Sequence, residues 1–408
     1  MYDLLRAKAS GLIGQATTCL SDLIQIPSIS GNEADVAQAT EQTFKRFGFD
    51  QVLTDEFGNV VGTILGREKA PVVLLLSHLD TVSPGEIGAW QYAPWSGQIS
   101  DGKVHGLGAV DCKGGVVTQL FAGALLKRAL LPFDGTIVIA ATVSEENGTS
   151  LGTRALLDHT LPSLDLSPTY AILGEPTHNG IYYGHDGWTE VRLELCGANP
   201  FQVSDAANAI YEDLTLTQAG AQRVTGTETF SISAPVRTDD AGMRHAAINV
   251  ARRLGANDNA EQVVGQIRHA AEMVARDRTA LALDVRPRQI ERTLGKLHTR
   301  VECVVDAWCT DPCSPLVDRA RQSLAVADLK TRTGTWKLGR LGSGTAGSTL
   351  VRHYGIPTIG YGPGDEALAH NPNECVEIAR LHDAIIGTAV IVHALAGVPT
   401  FGWSTDDP

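Results

Sequence analysis

Imidazoles and carboxylates recur at five places in this sequence, each at the end of an apolar run or inside a glycine-rich turn. Ser77-His78-Leu79-Asp80 follows the apolar Val72–Leu76 directly. Side chains two apart on a strand share a face, so His78 and Asp80 point the same way, and the carboxylate can hold the imidazole in one tautomer. Asp111 lies in Gly106–Gly115, among glycines that suit a backbone turned tightly around a ligand. Ser144-Glu145-Glu146 closes the apolar Thr136–Val143, and adjacent carboxylates repel each other unless a cation lies near them. Glu175, in Gly174-Glu175-Pro176-Thr177, follows a further short strand, and His370, in Ala369–Glu374, completes the set. Two histidines with several carboxylates make a nitrogen and oxygen donor set that suits Zn²⁺, Co²⁺ or Mn²⁺, not a thiolate site. Each piece alone has a plainer reading: a hydrogen-bonded strand-end histidine, a solvated Glu145-Glu146 loop, an Asp111 that caps a helix starting near Gly114. Ligands of open α/β sheets bind beyond the carboxyl ends of the strands, and several of these groups stand there in order.

To act together, these groups need elements that bring distant segments to one edge. Val72–Leu76 (VVLLL) and Thr136–Val143 (TIVIAATV) are short and nearly all apolar, as buried parallel strands are. Gly114–Leu130 between them has helical spacing and length, and Ala171–Leu173 begins another strand. This alternation predicts an α/β domain with a mostly parallel sheet and helices on both faces. From Trp188 the pattern changes. Trp188–Cys196 alternates strictly, like a half-exposed strand; Ala206–Gln218 and Glu261–Ala275 read as helices, and Val301–Ala307 as a strand. A smaller α+β unit inserted into the first is therefore expected, dividing the chain into 1–187, 188–304 and 305–408. After Ser314 the α/β character returns through Gly355–Gly360 and closes on a helix over Ile378–Leu395.

Composition narrows the class. A chain of 408 residues suits two domains, and 43% hydrophobic with 19% charged residues describes a packed globular protein. A formal net charge of −13 argues against a nucleic-acid or anionic-membrane surface. Met1–Ile26 mixes apolar and polar residues without the continuous apolar core of a secretion signal, and no 18-residue apolar run is present, so a cytoplasmic protein without a membrane span is expected. The seven cysteines form no zinc knuckle and read as reduced thiols.

The stretches SHLDTV (77–82), GLGAVDCKGG (106–115), SEENG (144–148), GEPT (174–177) and AHNPNE (369–374) together resemble the M20 metallopeptidase family of deacetylases, desuccinylases, aminoacylases and carboxypeptidases. The Trp90–Gly102 tract and TDPCSPLV (310–317) extend the likeness over nearly the whole chain. The resemblance implies two divalent metal ions, His78 and Glu175 binding one, His370 and Glu146 the other, with Asp111 bridging. It implies Glu145 as general base, Asp80 behind His78, and a metal-bridging water that attacks an acyl carbon. It further implies an N-acyl amino acid or dipeptide substrate and a homodimer formed through the inserted lid.

Departures fall on the substrate side. Many relatives carry a lid histidine in a motif like SAHAS, where this chain has Gly197–Ser204 without histidine; His185 and His245 are hypothetical substitutes. Only Asn249-Val250 is left of the lid's Asn-Val-Ile-Pro element, and Gly106-Leu107-Gly108 lacks a common central arginine. Arg286, in an Asp-x-Arg strand, is a candidate for a substrate carboxylate, with a structural Asp284–Arg286 pair as its plainer reading. Gly344-Thr345-Ala346 stands where many relatives have Gly-Thr-Asp or Gly-Thr-Ser, with Gly344 and Thr345 as substrate-side candidates. Gly342-x-Gly344-x-x-Gly347 also matches a dinucleotide fingerprint formally, but the polar Thr333–Arg340 before it does not read as a buried strand. With neither G-x-S-x-G nor a P-loop, a serine hydrolase or NTPase has no motif support. The altered substrate side leaves a non-catalytic binding subunit as the rival reading.

Overall fold

The computed structural model describes residues 2–397 apart from 147, 149, 226–229, 241–242, 256–257, 277–280, 296, 331–332 and 337–343. The apolar runs pair into one large sheet, in the order Gln51–Thr54, Val60–Leu65, Thr136–Thr142, Val72–His78, Tyr170–Leu173, Thr358–Gly360, Ile181–His185 and Trp308–Cys309. The strands from Thr136–Thr142 to Thr358–Gly360 run parallel, and the flanks are antiparallel. Because successive side chains alternate, Val73 and Leu75 face one core, under the helices Gly114–Ala129 and Ile378–Ala396. Val72, Leu74 and Leu76 face the other core, with Leu156, Leu161 and Leu350. Both faces are covered, which is why these runs are apolar at every position. The Ala109–Ala129 and Ile378–Ala396 segments are long and apolar enough to cross a membrane, but 94% and 67% of their most apolar windows are buried inside the protein, as core helices.

A second, antiparallel sheet takes Gly187–Gly197, Phe230–Ile232, Val236–Asp240, Met243–Leu254, Ala282–Pro287 and Val304–Val305. Val191, Leu193 and Leu195 point into a separate core with the helices Pro200–Thr225 and Ala260–Ala275. Glu190, Arg192 and Glu194 alternate with them on the open face, as the strict period predicted.

Three segments differ from expectation. The helix read as Ala206–Gln218 runs from Pro200 to Thr225, started by Asn199, whose side chain accepts from the Phe201 and Gln202 amides. Val301–Ala307 is not one strand: Leu297–Glu302 pairs with Gln289–Leu294 as a hairpin, and only Val304–Val305 joins the insert's sheet. At the hairpin tip Leu294 is buried in the main core, and Gly295 (φ +56) approaches the Glu56 carbonyl so closely that a Cβ there would meet it at 2.3 Å. Polar Thr333–Trp336 does form a strand, parallel to Ile181–His185 at the rim of the large sheet, where backbone pairing suffices. Gly342 of the fingerprint lies outside the described residues.

Candidate metal centre

The sheet brings the predicted groups to one edge. His78 ends its strand, and the Ser144–Glu146 and Glu175 loops follow the neighbouring Thr136–Thr142 and Tyr170–Leu173 strands. Asp111 enters from the turn before the Gly114–Ala129 helix, and His370 from a loop with φ +58. The helix can come close enough because residue 115 is glycine: a Cβ there would lie 2.0 Å from the Gly174 carbonyl, beside Glu175. The Asp111–Cys112 peptide is cis.

Asp111 Oδ1 lies 3.2 Å from His78 Nε2, and its Oδ2 lies 3.1 Å from His370 Nε2. Glu146 approaches His370 Nε2 at 2.8 Å, and Glu175 lies 3.9 Å from His78 Nε2. Donor atoms of His78, Asp111, Cys112 and Glu175 thus gather in one group, and those of Asp111, Glu146 and His370 in a second, sharing Asp111. Burial and then the charge of Glu175 push the Cys112 thiol well up, and it donates to the Gly174 carbonyl at 3.4 Å.

His78 Nδ1–H donates to the Asp80 backbone carbonyl at 2.9 Å, closer than the Asp80 carboxylate at 3.5 Å, and this presents Nε2 to the cluster. The Asp80 carboxylate has a larger task than sequence suggested. It accepts from the Glu145 amide at 3.0 and 2.9 Å, the Glu146 amide at 3.0 Å and the Ser30 hydroxyl at 2.7 Å. Glu33 Oε1 accepts from the Ser144 amide at 3.2 Å. Ser30 and Glu33 were missed at the sequence level, because their role arises only when their loop packs beside the strand ends.

The electrostatics fit cations. Burial pushes Glu145 up to about 8, with the charge of Glu146 adding to it and that of His78 opposing it. Burial and then the Asp111 charge raise both Glu146 and Glu175, the latter strongly. Burial lowers the two imidazoles, yet hydrogen bonds to carboxylates outweigh it, taking His370 to about 11 and His78 well above its ordinary value. Among the described residues, the buried Glu145 Oε1 has no hydrogen-bond partner. Four carboxylates around two imidazoles, one oxygen unsatisfied, make a donor set that divalent ions would complete.

Metal uptake must then displace protons held by the raised imidazoles and carboxyls of this cluster. Since binding releases protons, affinity is expected to rise with pH. Calorimetric Zn²⁺ titrations in buffers of different ionisation enthalpy should show net release of protons to the buffer on loading. Heat independent of the buffer would contradict this reading.

The proposed substrate-side residues are placed differently. Arg286 pairs with Asp284 and, at 2.8 Å, with Glu194 on the open face of the insert's sheet, the plainer of its two readings. His185 is buried, not exposed. Its Nδ1–H donates to the Asp186 carbonyl at 2.6 Å, and its Nε2 accepts from the Thr345 amide at 3.1 Å. Burial holds it down near 4, so it is a neutral acceptor and cannot donate to an oxyanion from Nε2. It anchors Thr345, and Gly347 of the same loop rests on Trp308. A Cβ on Gly344 would meet Val305 Cγ1 at 2.5 Å, and one on Gly148 of the glutamate loop would lie 3.4 Å from Val305 Cγ2, so both glycines lie near Val305. His245 lies on the insert's sheet, its Nε2 3.8 Å from Cys196 Sγ.

Residues 74–305 match the family profile of Peptidase family M20/M25/M40. The LysW-lysine hydrolase of Deinococcus radiodurans is 30% identical over 391 residues, covering 93% of this chain and 96% of its own. Among solved structures, the dipeptidase Dug1p of Saccharomyces cerevisiae superposes with a TM-score of 0.72 at 13% identity, covering 98% and 99% of the two chains. A dinuclear metal-binding M20 peptidase of Bacillus subtilis, YXEP, superposes with a TM-score of 0.66 at 16% identity, covering 94% and 99%.

Proposed function

The chain belongs to peptidase family M20/M25/M40 and so is a hydrolase of amide bonds, and from that premise we propose a two-metal deacylase of N-acyl amino acids. The observation that carries the two-metal reading is the Asp111 carboxylate, whose two oxygens face two imidazoles at 3.2 and 3.1 Å. His78 and Glu175 would hold one ion, Glu146 and His370 the other, and Asp111 both; Zn²⁺ suits the donors best, with Co²⁺ or Mn²⁺ able to replace it. Bound there, the ions supply Lewis acidity at the scissile carbonyl and lower the pKa of water.

The chain's own part is proton handling and orientation. Glu145 takes a proton from the attacking water and returns it to the departing amine. Its uncommitted oxygen supports this role. Asp80 fixes the backbone that carries Glu145 and Glu146. Gly344 and Thr345 would receive substrate, a role supported by the His185 hydrogen bond that anchors Thr345.

The proposal divides the chain into 1–187, 188–304 and 305–408, with the insert 188–304 as a lid and as the face of a homodimer; Phe201 and Met273 are exposed on it. It takes the protein as cytoplasmic, in keeping with seven free thiols. Lysine-like amines merit inclusion among substrates, because the Deinococcus relative is named for a lysine derivative. A panel of N-acetyl, N-succinyl and N-carbamoyl amino acids and dipeptides, assayed with added Zn²⁺, Co²⁺ or Mn²⁺, tests the proposal. Preferential cleavage of an N-acyl amino acid is the expected outcome; preferential dipeptide cleavage would make the enzyme a dipeptidase, and no turnover across the panel would favour a binding subunit.

A further inference from the structure

We propose that Glu374 is a positioning residue that sets the bridging aspartate by holding the Asp111 turn to the His370 loop. The inference rests on the two-metal reading above. Glu374 is 1% exposed, four residues after His370, and immediately precedes the strand Cys375–Glu377. Its Oε1 accepts from the Val110 amide at 2.7 Å and the Asp111 amide at 3.0 Å. Its backbone carbonyl accepts from the Gly106 amide at 2.9 Å, at the other end of the same turn. The strand that follows pairs with Lys103–His105, which leads into that turn.

These contacts join two segments that carry ligands of the same ion pair. A turn rich in glycine has little stiffness of its own, and Gly106 and Gly108 have φ of +142 and +82. The segment needs an external brace if Asp111 is to present one oxygen to each imidazole. Glu374 supplies it from one side. On the other side, buried Lys113 donates from Nζ to the Leu23 and Ile26 carbonyls at 2.8 and 2.9 Å, tying the turn to the end of the Ile13–Ile24 helix. The Glu374 side chain points at backbone amides, so its contribution is the placement of an acceptor, and its length matters more than its charge.

Three variants separate reach from charge. Glu374→Gln keeps an oxygen at the same distance and removes the charge. Glu374→Asp keeps the charge and withdraws the oxygen by one methylene, and Glu374→Ala removes both. Metal-stripped proteins would be titrated with Zn²⁺ against a chromophoric chelator, with thermal melts of the metal-free forms confirming that each is folded. Affinity for the second equivalent of Zn²⁺ is expected to fall by about 10–100-fold in the Ala and Asp variants, as loss of outer hydrogen bonds does elsewhere, and to stay within about threefold of the parent in the Gln variant. Unchanged affinity in all three, an equal loss in all three, or loss in Gln with retention in Asp would overturn the inference. A parent protein that binds fewer than two ions would instead count against the two-metal reading itself.

Discussion

Glu145→Gln is expected to retain its metal complement and lose turnover by about 10²–10⁴-fold, the usual contribution of a positioned general base. The substitution keeps the shape of a fully buried side chain and removes only its ability to take a proton. Glu145 is distinguished from its neighbours by its surroundings. Glu146 pairs with His370 and Asp80 is committed to two amides and a hydroxyl, whereas Glu145 Oε1 meets no partner among the described residues. A base must have such a free oxygen, and a ligand or brace must not. Metal analysis alongside steady-state kinetics checks the outcome; a variant that loses its ions would make Glu145 a ligand, and one with near-normal turnover would remove it from the chemistry.

Asp111→Ala is expected to be more damaging, because one carboxylate serves both ions. Without it each half of the site keeps one imidazole and one carboxylate, His78 with Glu175 and His370 with Glu146. Two protein donors fall short of the three that catalytic zinc sites ordinarily have. The variant should bind at most one ion at concentrations that saturate the parent. Its turnover should fall on the order of 10³-fold or more, since Lewis-acid stabilisation is worth several kcal/mol. Asp111→Asn offers an intermediate, keeping one strong oxygen donor and losing the bridge. Two tightly bound ions in the Ala variant would show that Asp111 does not bridge.

Much of this candidate site was legible because several of its residues obey local rules. His78, Glu145 and Glu175 each follow a run of buried apolar residues, and the parallel pairing of those runs brings their ends together. The open face of the insert was equally visible in the alternation of Gly187–Gly197. What escaped depends on contacts between segments remote in sequence. The Glu374–Val110 hydrogen bond spans 264 positions, and nothing in the local pattern of AHNPNE marks its last residue as a brace. Ser30 and Glu33 were hidden for the same reason, in a loop without apolar periodicity. The Gln289–Glu302 hairpin was hidden differently: its tip contributes Leu294 to a core built by another part of the chain. Arg286 and His185 show the converse, since residue type alone suggested ligand binding or donation, while only the folded chain pairs them with Glu194 and with the Thr345 amide.

The proposed hydrolysis needs two ions held across Asp111 and working together on an amide bond. Its most direct test is to strip the protein of metal and follow hydrolysis of the best N-acyl amino acid as Zn²⁺ is added in known equivalents. Activity absent at the start and rising to a plateau at two ions per chain is the predicted result. Full activity in the stripped protein, or no bound ion and no recovery on addition, would contradict it.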